Sequence, residues 1–224
     1  IDRDEIERSQ ANSVVELLQG RAGIEVVQTA WRPGLTTLFM RGSESDHTLV
    51  LVDGVRVTSA TNGGASLEFL PVDAIERIEV VRGPDATLWG ANAVNGVINV
   101  VTRKTGETQD NLVQAGTGTQ ERGFIQPRHG GGLGTTGTYR VWAKGFARDA
   151  LVDATGRAAD DDWRMGRIGF RADTQHDVSK IGAAHSDVVP RDALSLMGEL
   201  YAGQSGQTYR RAVQDDTRLA GGHL

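Results

Sequence analysis

The chain has 224 residues, of which 38% are hydrophobic and only 5% aromatic, and its formal net charge is −5. This acidic balance argues against a general nucleic-acid-binding protein, which needs a basic face, and the absence of cysteine excludes a disulfide framework and thiolate metal sites. No apolar run approaches the roughly 18 residues of a membrane-crossing helix, although the short alternating strands of a β-barrel would escape that criterion.

The first predicted element is a helix within the stretch SQANSVVELLQGRAG, residues 9–23. We expect Ser9 or Asn12 to cap its N terminus and Gly20 or Gly23 to end it. Its apolar face consists of Val14, Val15, Leu17 and Leu18.

The remainder of the region up to residue 106 indicates a compact α/β domain. Strands are predicted in IEVVQ, LTTLFMRG, HTLVLVDGVRV, VDAIERIEVV and GVINVVT. The pair Asp53-Gly54 predicts a hairpin turn, because it lies between apolar flanks. The stretch PDATLWGA favours a short helix with Pro84 near its first position.

After residue 106 the pattern changes to period-two alternation. TYRVWAKGFARD, DDWRMGRIGFRAD and ALSLMGELYAG each place apolar residues on one face and polar residues on the other. Such stretches of about ten residues, separated by turns, are typical of outer-membrane barrel strands. An ordinary antiparallel sheet with one wet face gives the same pattern, so alternation alone leaves both possibilities open.

Several short motifs resemble catalytic or ligand-binding signatures without their required context. HGGG, residues 129–132, would need a G-x-S-x-G nucleophile elbow, which is absent, so we expect a flexible hairpin loop there. GLGTTG precedes a strand and not the helix of a dinucleotide site, which also predicts a loop. The five histidines are scattered, so neither a metal site nor a catalytic residue is predicted.

Three motifs occur in order and at close spacing: LTTLFMRG, HTLVLVDGVRV and IERIEVVRGPDATLWGANAVNGVINVVT. Together they resemble the plug domain of TonB-dependent outer-membrane receptors. That family has an R-G after a strand, an apolar run ending in D-G, I-E-x-x-R-G-P, a short helix ending in an aromatic-Gly pair, and G-V-I-N-I-I-T. The sequence departs from this pattern at Trp89, where Tyr is usual, and at Asn95, where Gly is usual.

The resemblance implies the fold class and the domains. We expect an α+β plug domain over residues 1–106, with a four-stranded mixed sheet and short helices. Residues 107–224 would form antiparallel β strands of an incomplete transmembrane β-barrel. These 118 residues supply about four strands, whereas a plugged outer-membrane transporter has about 22. A truncated receptor, or a piece of one, is therefore expected.

The resemblance also implies structural residues. Arg41 and Arg82 would pair with carboxylates on the inner barrel wall and latch the plug, since an Arg fork suits carboxylates in a partly dry site. Simple strand caps in solvent are the alternative. The expected turn and close-approach positions are Gly42, Asp53, Gly54, Gly83, Pro84, Gly90 and Gly96.

The implied function is energised uptake of a scarce nutrient, with no enzyme activity, no cofactor and no nucleic-acid partner. The expected partners are TonB with its inner-membrane energising complex, a small-molecule ligand and outer-membrane lipid, at the outer membrane of a Gram-negative bacterium. A ferric siderophore is the expected cargo from family frequency, with cobalamin, haem and oligosaccharides left open. A free-standing periplasmic binding module or adhesin is the alternative class. The expected cargo contacts are Trp31, Arg32, Thr58, Ser59 and Asn62.

Overall fold

A computed structural model describes most of the chain. The described residues are 1–21, 23–28, 36–40, 47–57, 64–65, 67, 70–83, 93, 95–119, 121–152, 156–158, 161–177, 191–209 and 213–223. They divide into two compact units, one built mainly from Ile1–Arg103 and the other from Lys104–Gly206 and Gln214–Leu224. No helix in these ranges is both long and apolar enough to cross a membrane.

Two short helices open the first unit, α1 at Arg3–Ser9 and α2 at Val14–Leu18. The predicted N-terminal cap of α2 was wrong, because Ser9 lies in the last turn of α1 and Ser13 caps α2. Gly20, one of the two glycines predicted to end the helix, follows its C-cap residue with a φ of 73°. The Ser13 hydroxyl accepts a hydrogen bond from the Glu16 backbone N–H. The Glu16 carboxylate in turn accepts one from the backbone N–H of Asn12. This reciprocal pattern satisfies two N–H groups at the helix start.

Seven strands follow in the described part of the first unit. They are β1 Ile24–Gln28, β2 Thr36–Met40, β3 Thr48–Val52, β4 Val55–Arg56, β5 Gly64–Ala65, β6 Ile75–Arg82 and β7 Gly96–Thr102. A 3₁₀ turn at Val72–Ala74 precedes β6.

These strands form two sheets. β1, β2 and β5 make a three-stranded sheet in that order, and β4, β3, β7 and β6 make a four-stranded sheet in that order. In the second sheet β3 runs parallel to β7, while β4 and β6 pair antiparallel with their neighbours. The predicted four-stranded mixed sheet is therefore confirmed.

The core of the first unit joins both helices to both sheets. Leu18 from α2, Leu38 and Met40 from β2, Ile78 from β6 and Ile98 from β7 are almost fully buried in one cluster. Burying such side chains contributes roughly 1.5–3 kcal/mol each. Burial alternates along β2, because Thr36, Leu38 and Met40 are buried and the two residues between them are only half-buried.

The described residues of the second unit contain a six-stranded sheet, in which the successive strands from residue 111 to residue 209 pair antiparallel. The six strands are β8 Asn111–Gly116, β9 Glu121–Leu133, β10 Gly137–Arg148, β11 Trp163–Asp177, β12 Arg191–Tyr209 and β13 Val213–His223, in the order β13-β12-β11-β10-β9-β8. The expectation was about four strands. The larger number fits because some connections are very short; the β9–β10 hairpin turns within residues 134–136.

The loop predicted at HGGG was wrong, and the loop predicted at GLGTTG was confirmed only for its middle residues, 134–136. Residues 129–133 belong to β9, and only residues 134–136 form the turn before β10. Gly134 adopts a positive φ of 66° in that turn. Glycine clusters predict a loop from local preference alone, whereas strand pairing with β8 and β10 holds this segment extended.

Candidate functional site

The β3–β4 hairpin turns at Asp53 and Gly54, with φ of 49° and 80°. Both residues are in the left-handed region that a tight two-residue hairpin requires. The Asp53 carboxylate accepts hydrogen bonds from the backbone N–H and from the hydroxyl of Thr102, each at 2.7 Å. The turn is thereby fastened to the end of β7.

A second polar group holds the same corner of the sheet. The Asn99 side chain accepts a hydrogen bond from the Gly54 N–H at 3.2 Å and donates one to Glu79 at 3.0 Å. Arg77 donates to the same carboxylate at 2.8 Å. The hydrogen bond from Asn99 and that from Arg77 lower the pKa of Glu79 below the ordinary value of a glutamate, against a smaller opposing effect of burial.

Gly96 and Gly83 lie at the facing ends of β7 and β6. A Cβ at Gly96 would lie 2.6 Å from the Val81 carbonyl oxygen and 2.7 Å from the Met40 sulfur, so the backbone passes too close for a side chain. Gly83 is buried and has a φ of 134°. The Arg82 side chain is exposed beside Gly23. The latch proposed for Arg82 stays a prediction.

The three-stranded sheet brings together the ends of the two predicted cargo-binding loops. Residues 29–35 connect β1 to β2, where Gln28 pairs with Thr36. Residues 58–63 precede β5, whose Gly64 and Ala65 pair with Thr37 and Thr36. Both ends of the first loop and the C-terminal end of the second loop therefore lie next to the first two residues of β2.

Several predicted site residues lie outside the described residues. These are the cargo-contact candidates Trp31, Arg32, Thr58, Ser59 and Asn62, the latch candidate Arg41, and the turn candidates Gly42, Pro84 and Gly90. The helix predicted in PDATLWGA also falls there. All of these stay predictions.

The second unit buries a row of cations on one face of its sheet. Arg128, Arg140, Lys144 and Arg167 are each less than 8% exposed. They share a face, because Lys144 pairs with Arg167 and Arg128 pairs with Trp142, which lies between Arg140 and Lys144 on the same face of β10. Arg167 forms an ion pair with Glu199. Sequence reasoning missed this row, although the alternation in β10 already separated the charged residues from the small apolar ones.

The opposite face of the sheet exposes large apolar side chains. Val113, Ile168, Leu194 and Leu200 are between 57% and 70% exposed. Aliphatic side chains in solvent combined with buried arginines reverse the usual distribution. That polarity is the pattern of outer-membrane strands, in which the apolar face meets lipid.

The fold and the two faces define the class of protein. A small α+β domain precedes long strands whose exposed face is apolar and whose buried face is polar, which is the pattern of outer-membrane barrel strands. The family described as "TonB-dependent Receptor Plug Domain" matches residues 1–97.

The sequence relatives that match this chain are named as vitamin B12 transporters. The chain is 38% identical over 141 residues to the vitamin B12 transporter BtuB of Vibrio cholerae serotype O1, a match covering 63% of the chain and 23% of the relative. It is 32% identical over 208 residues to the vitamin B12 transporter BtuB of Photobacterium profundum, covering 83% of the chain and 34% of the relative. The chain thus spans about a quarter to a third of the length of these relatives.

Solved structures share the fold at lower identity. The ferric enterobactin receptor of Pseudomonas aeruginosa, crystallised with enterobactin, has a TM-score of 0.63 at 20% identity and covers 92% of this chain, which spans 33% of that receptor. The copper transporter OprC has a TM-score of 0.64 at 14% identity over 94% of this chain and 30% of that one. The chain belongs to the family of TonB-dependent receptors, which are outer-membrane proteins of Gram-negative bacteria. The predicted family and location are confirmed.

Proposed function

We propose that the complete protein containing this chain is a TonB-dependent transporter that takes up a cobalamin-type corrinoid. The choice of cargo is supported by the 38% identity to proteins named vitamin B12 transporters. The siderophore and copper neighbours are 14–21% identical and support only the fold. The ferric siderophore expected from family frequency is therefore the second candidate.

The cargo would bind at the loops around the start of β2. Trp31 offers a flat face for stacking and Arg32 a guanidinium for polar or anionic groups of the ligand. Thr58, Ser59 and Asn62 add hydrogen-bond donors and acceptors from the second loop. The pairing of Thr36 with both Gln28 and Ala65 supports a joint role for the two loops.

The domain division and the partners belong to the same proposal. Residues 1–106 act as the plug and residues 107–224 as the first barrel strands. TonB, driven by its inner-membrane complex, pulls on the plug and opens a path for the cargo. Arg41 and Arg82 latch the closed plug to carboxylates on the barrel wall.

The cargo is tested with the complete gene product in a Gram-negative strain that lacks its own vitamin B12 receptor and requires the vitamin. Growth on nanomolar cyanocobalamin is expected, and it should vanish when TonB is deleted. Growth on a ferric siderophore alone, in a matched iron-uptake mutant, would select the second cargo. Failure of both would overturn the transporter proposal.

The binding loops are tested with purified complete receptor and radiolabelled cyanocobalamin. Trp31→Ala combined with Arg32→Ala should weaken binding by about tenfold or more, since an aromatic or Arg anchor contributes over about 1.4 kcal/mol. Arg56→Ala is the matched control, because Arg56 is an exposed arginine of β4 just before the second loop. Equal affinity of the double variant and the control would remove these residues from the site.

A further inference from the structure

The chain passes from the first unit to the second within two residues. The backbone N–H of Arg103 donates to the Ala74 carbonyl inside the first unit, at 2.7 Å. The backbone N–H of Thr105 donates to the Asp173 carboxylate inside the second, at 2.8 Å. Only Lys104 lies between these two attachments.

The segment of residues 105–110 is attached to the six-stranded sheet at its N-terminal end. Thr105 begins a 3₁₀ turn, Thr105–Glu107, and is fully buried. Its hydroxyl donates to the Thr138 carbonyl at 3.1 Å. The Asp173 carboxylate that receives its N–H is itself held by Arg171 and Ser195. This end of the segment is thus attached to both β10 and β11.

The other end is attached to β9. Arg128 donates to the Thr108 carbonyl and to the Asp110 carboxylate, both at 2.8 Å. The Gly130 N–H donates to the Asp110 carbonyl at 3.1 Å. A Cβ on Gly130 would overlap the Thr108 carbonyl oxygen, so only glycine allows this close approach. The glycine-rich HGGG stretch thereby acquires a structural role at one defined position.

We propose that this arrangement, Thr105, Thr108 and Asp110 held by Arg128, Gly130 and Asp173, is a junction clamp. It keeps the start of β8 in the sheet when the residues up to Arg103 loosen. The clamp prevents local unfolding of the first unit from separating β8 from the sheet of the second unit. The inference rests on the proposed function, because transport requires the plug to loosen while the barrel stays intact.

Hydrogen exchange of the complete receptor in detergent, at increasing urea concentration, tests the clamp. Residues 104–112 should keep the slow exchange of β10 at urea concentrations where β6 and β7 already exchange. This wild-type comparison needs no variant. If residues 104–112 lose protection together with β6, the clamp does not exist.

A pair of glycine variants from one motif localises the effect. Gly130→Ala should accelerate exchange of residues 104–112 by roughly tenfold, because its side chain displaces the Thr108 carbonyl and weakens local protection. Gly132→Ala is the matched control, since a Cβ there meets nothing within 4 Å. Equal exchange in the two variants would overturn the role of Gly130.

Asp173→Ala provides a second route if Gly130→Ala fails to assemble. It removes the acceptor for the Thr105 N–H and should accelerate the same peptide, whereas Asp149→Ala, at an exposed ion pair with Arg122, should not. No change in Asp173→Ala would contradict the clamp. Cargo uptake is not measured in these experiments, so a failed clamp and a failed transport proposal give different results.

Discussion

The two units of this chain use the same kind of strand with opposite polarity. In β2 of the first unit Leu38 and Met40 are buried in the core, while Thr37 and Phe39 are less buried. In the second unit Arg140 is 3% exposed while Leu194 is 70% exposed. Both arrangements alternate with period two, so alternation reports that a strand has two different faces and not which face meets water.

This difference indicates which environment, water or lipid, suits the exposed surface of each unit. The first unit has the apolar core of a water-soluble domain and gains its stability from hydrophobic burial. The second unit exposes its aliphatic side chains, which is favourable where lipid covers them. The same type of substitution should therefore have different effects in the two units.

The largest contrast is expected from truncating an aliphatic side chain in each unit. Ile98→Ala should destabilise the plug by about 2–5 kcal/mol, because it leaves a cavity in a closed core. Leu200→Ala, at a side chain 63% exposed, should change stability by only about 0.5 kcal/mol. Urea unfolding of the complete receptor, followed by exchange at β7 and β12, measures both. Similar losses in both variants would contradict the contrast.

A charge on the exposed face tests the lipid environment directly. Ile168→Arg, near the middle of β11, should cost about 2–4 kcal/mol in a bilayer, and Leu133→Arg, at the end of β9, about 0–1 kcal/mol. The measurement is reversible unfolding of the complete receptor in lipid vesicles. If both arginines are tolerated equally, the exposed face does not meet the hydrocarbon of the membrane.

A close backbone approach is expected to matter in the plug. Gly96→Ala places a methyl group 2.6 Å from the Val81 carbonyl and should destabilise the first unit by about 1–3 kcal/mol through overpacking. Gly20→Ala is the comparison variant. It changes a residue with a positive φ but causes no steric overlap, since no atom lies within 4 Å of the Cβ position of Gly20. Exchange at β6 and β7 should respond more strongly to the change at Gly96.

The smallest expected effect is a pH dependence of the stability of the first unit, caused by Glu79. The pKa of Glu79 is lowered, chiefly by the hydrogen bond from Asn99 and then by that from Arg77. A lowered folded-state pKa stabilises the fold above the unfolded-state value of about 4.3, and this stabilisation is lost as pH falls through the folded-state pKa. Glu79→Gln should flatten this part of the stability profile. A profile identical to wild type would exclude a contribution from Glu79.

Much of the plug followed from the sequence. The turn at Asp53-Gly54 was predictable because left-handed backbone there needs those residue types. The strand at residues 96–102 was predictable because a continuous apolar run marks a strand buried on both faces. The ordered motifs also identified the family. The helix caps were less predictable, since Ser9, Asn12 and Ser13 are all competent capping residues.

Other features of the fold depend on contacts between residues that are far apart in the sequence, and only the tertiary structure reveals them. Pairing with β8 and β10 made the HGGG stretch a strand, although each glycine alone favours a turn. Long-range contacts also brought Asp173 to the Thr105 amide and Thr36 between the ends of two loops. By itself the sequence determined local backbone preference and the two-faced pattern of the strands. Only the folded chain decided which face is buried and which residues meet, because those choices depend on contacts among residues far apart in sequence.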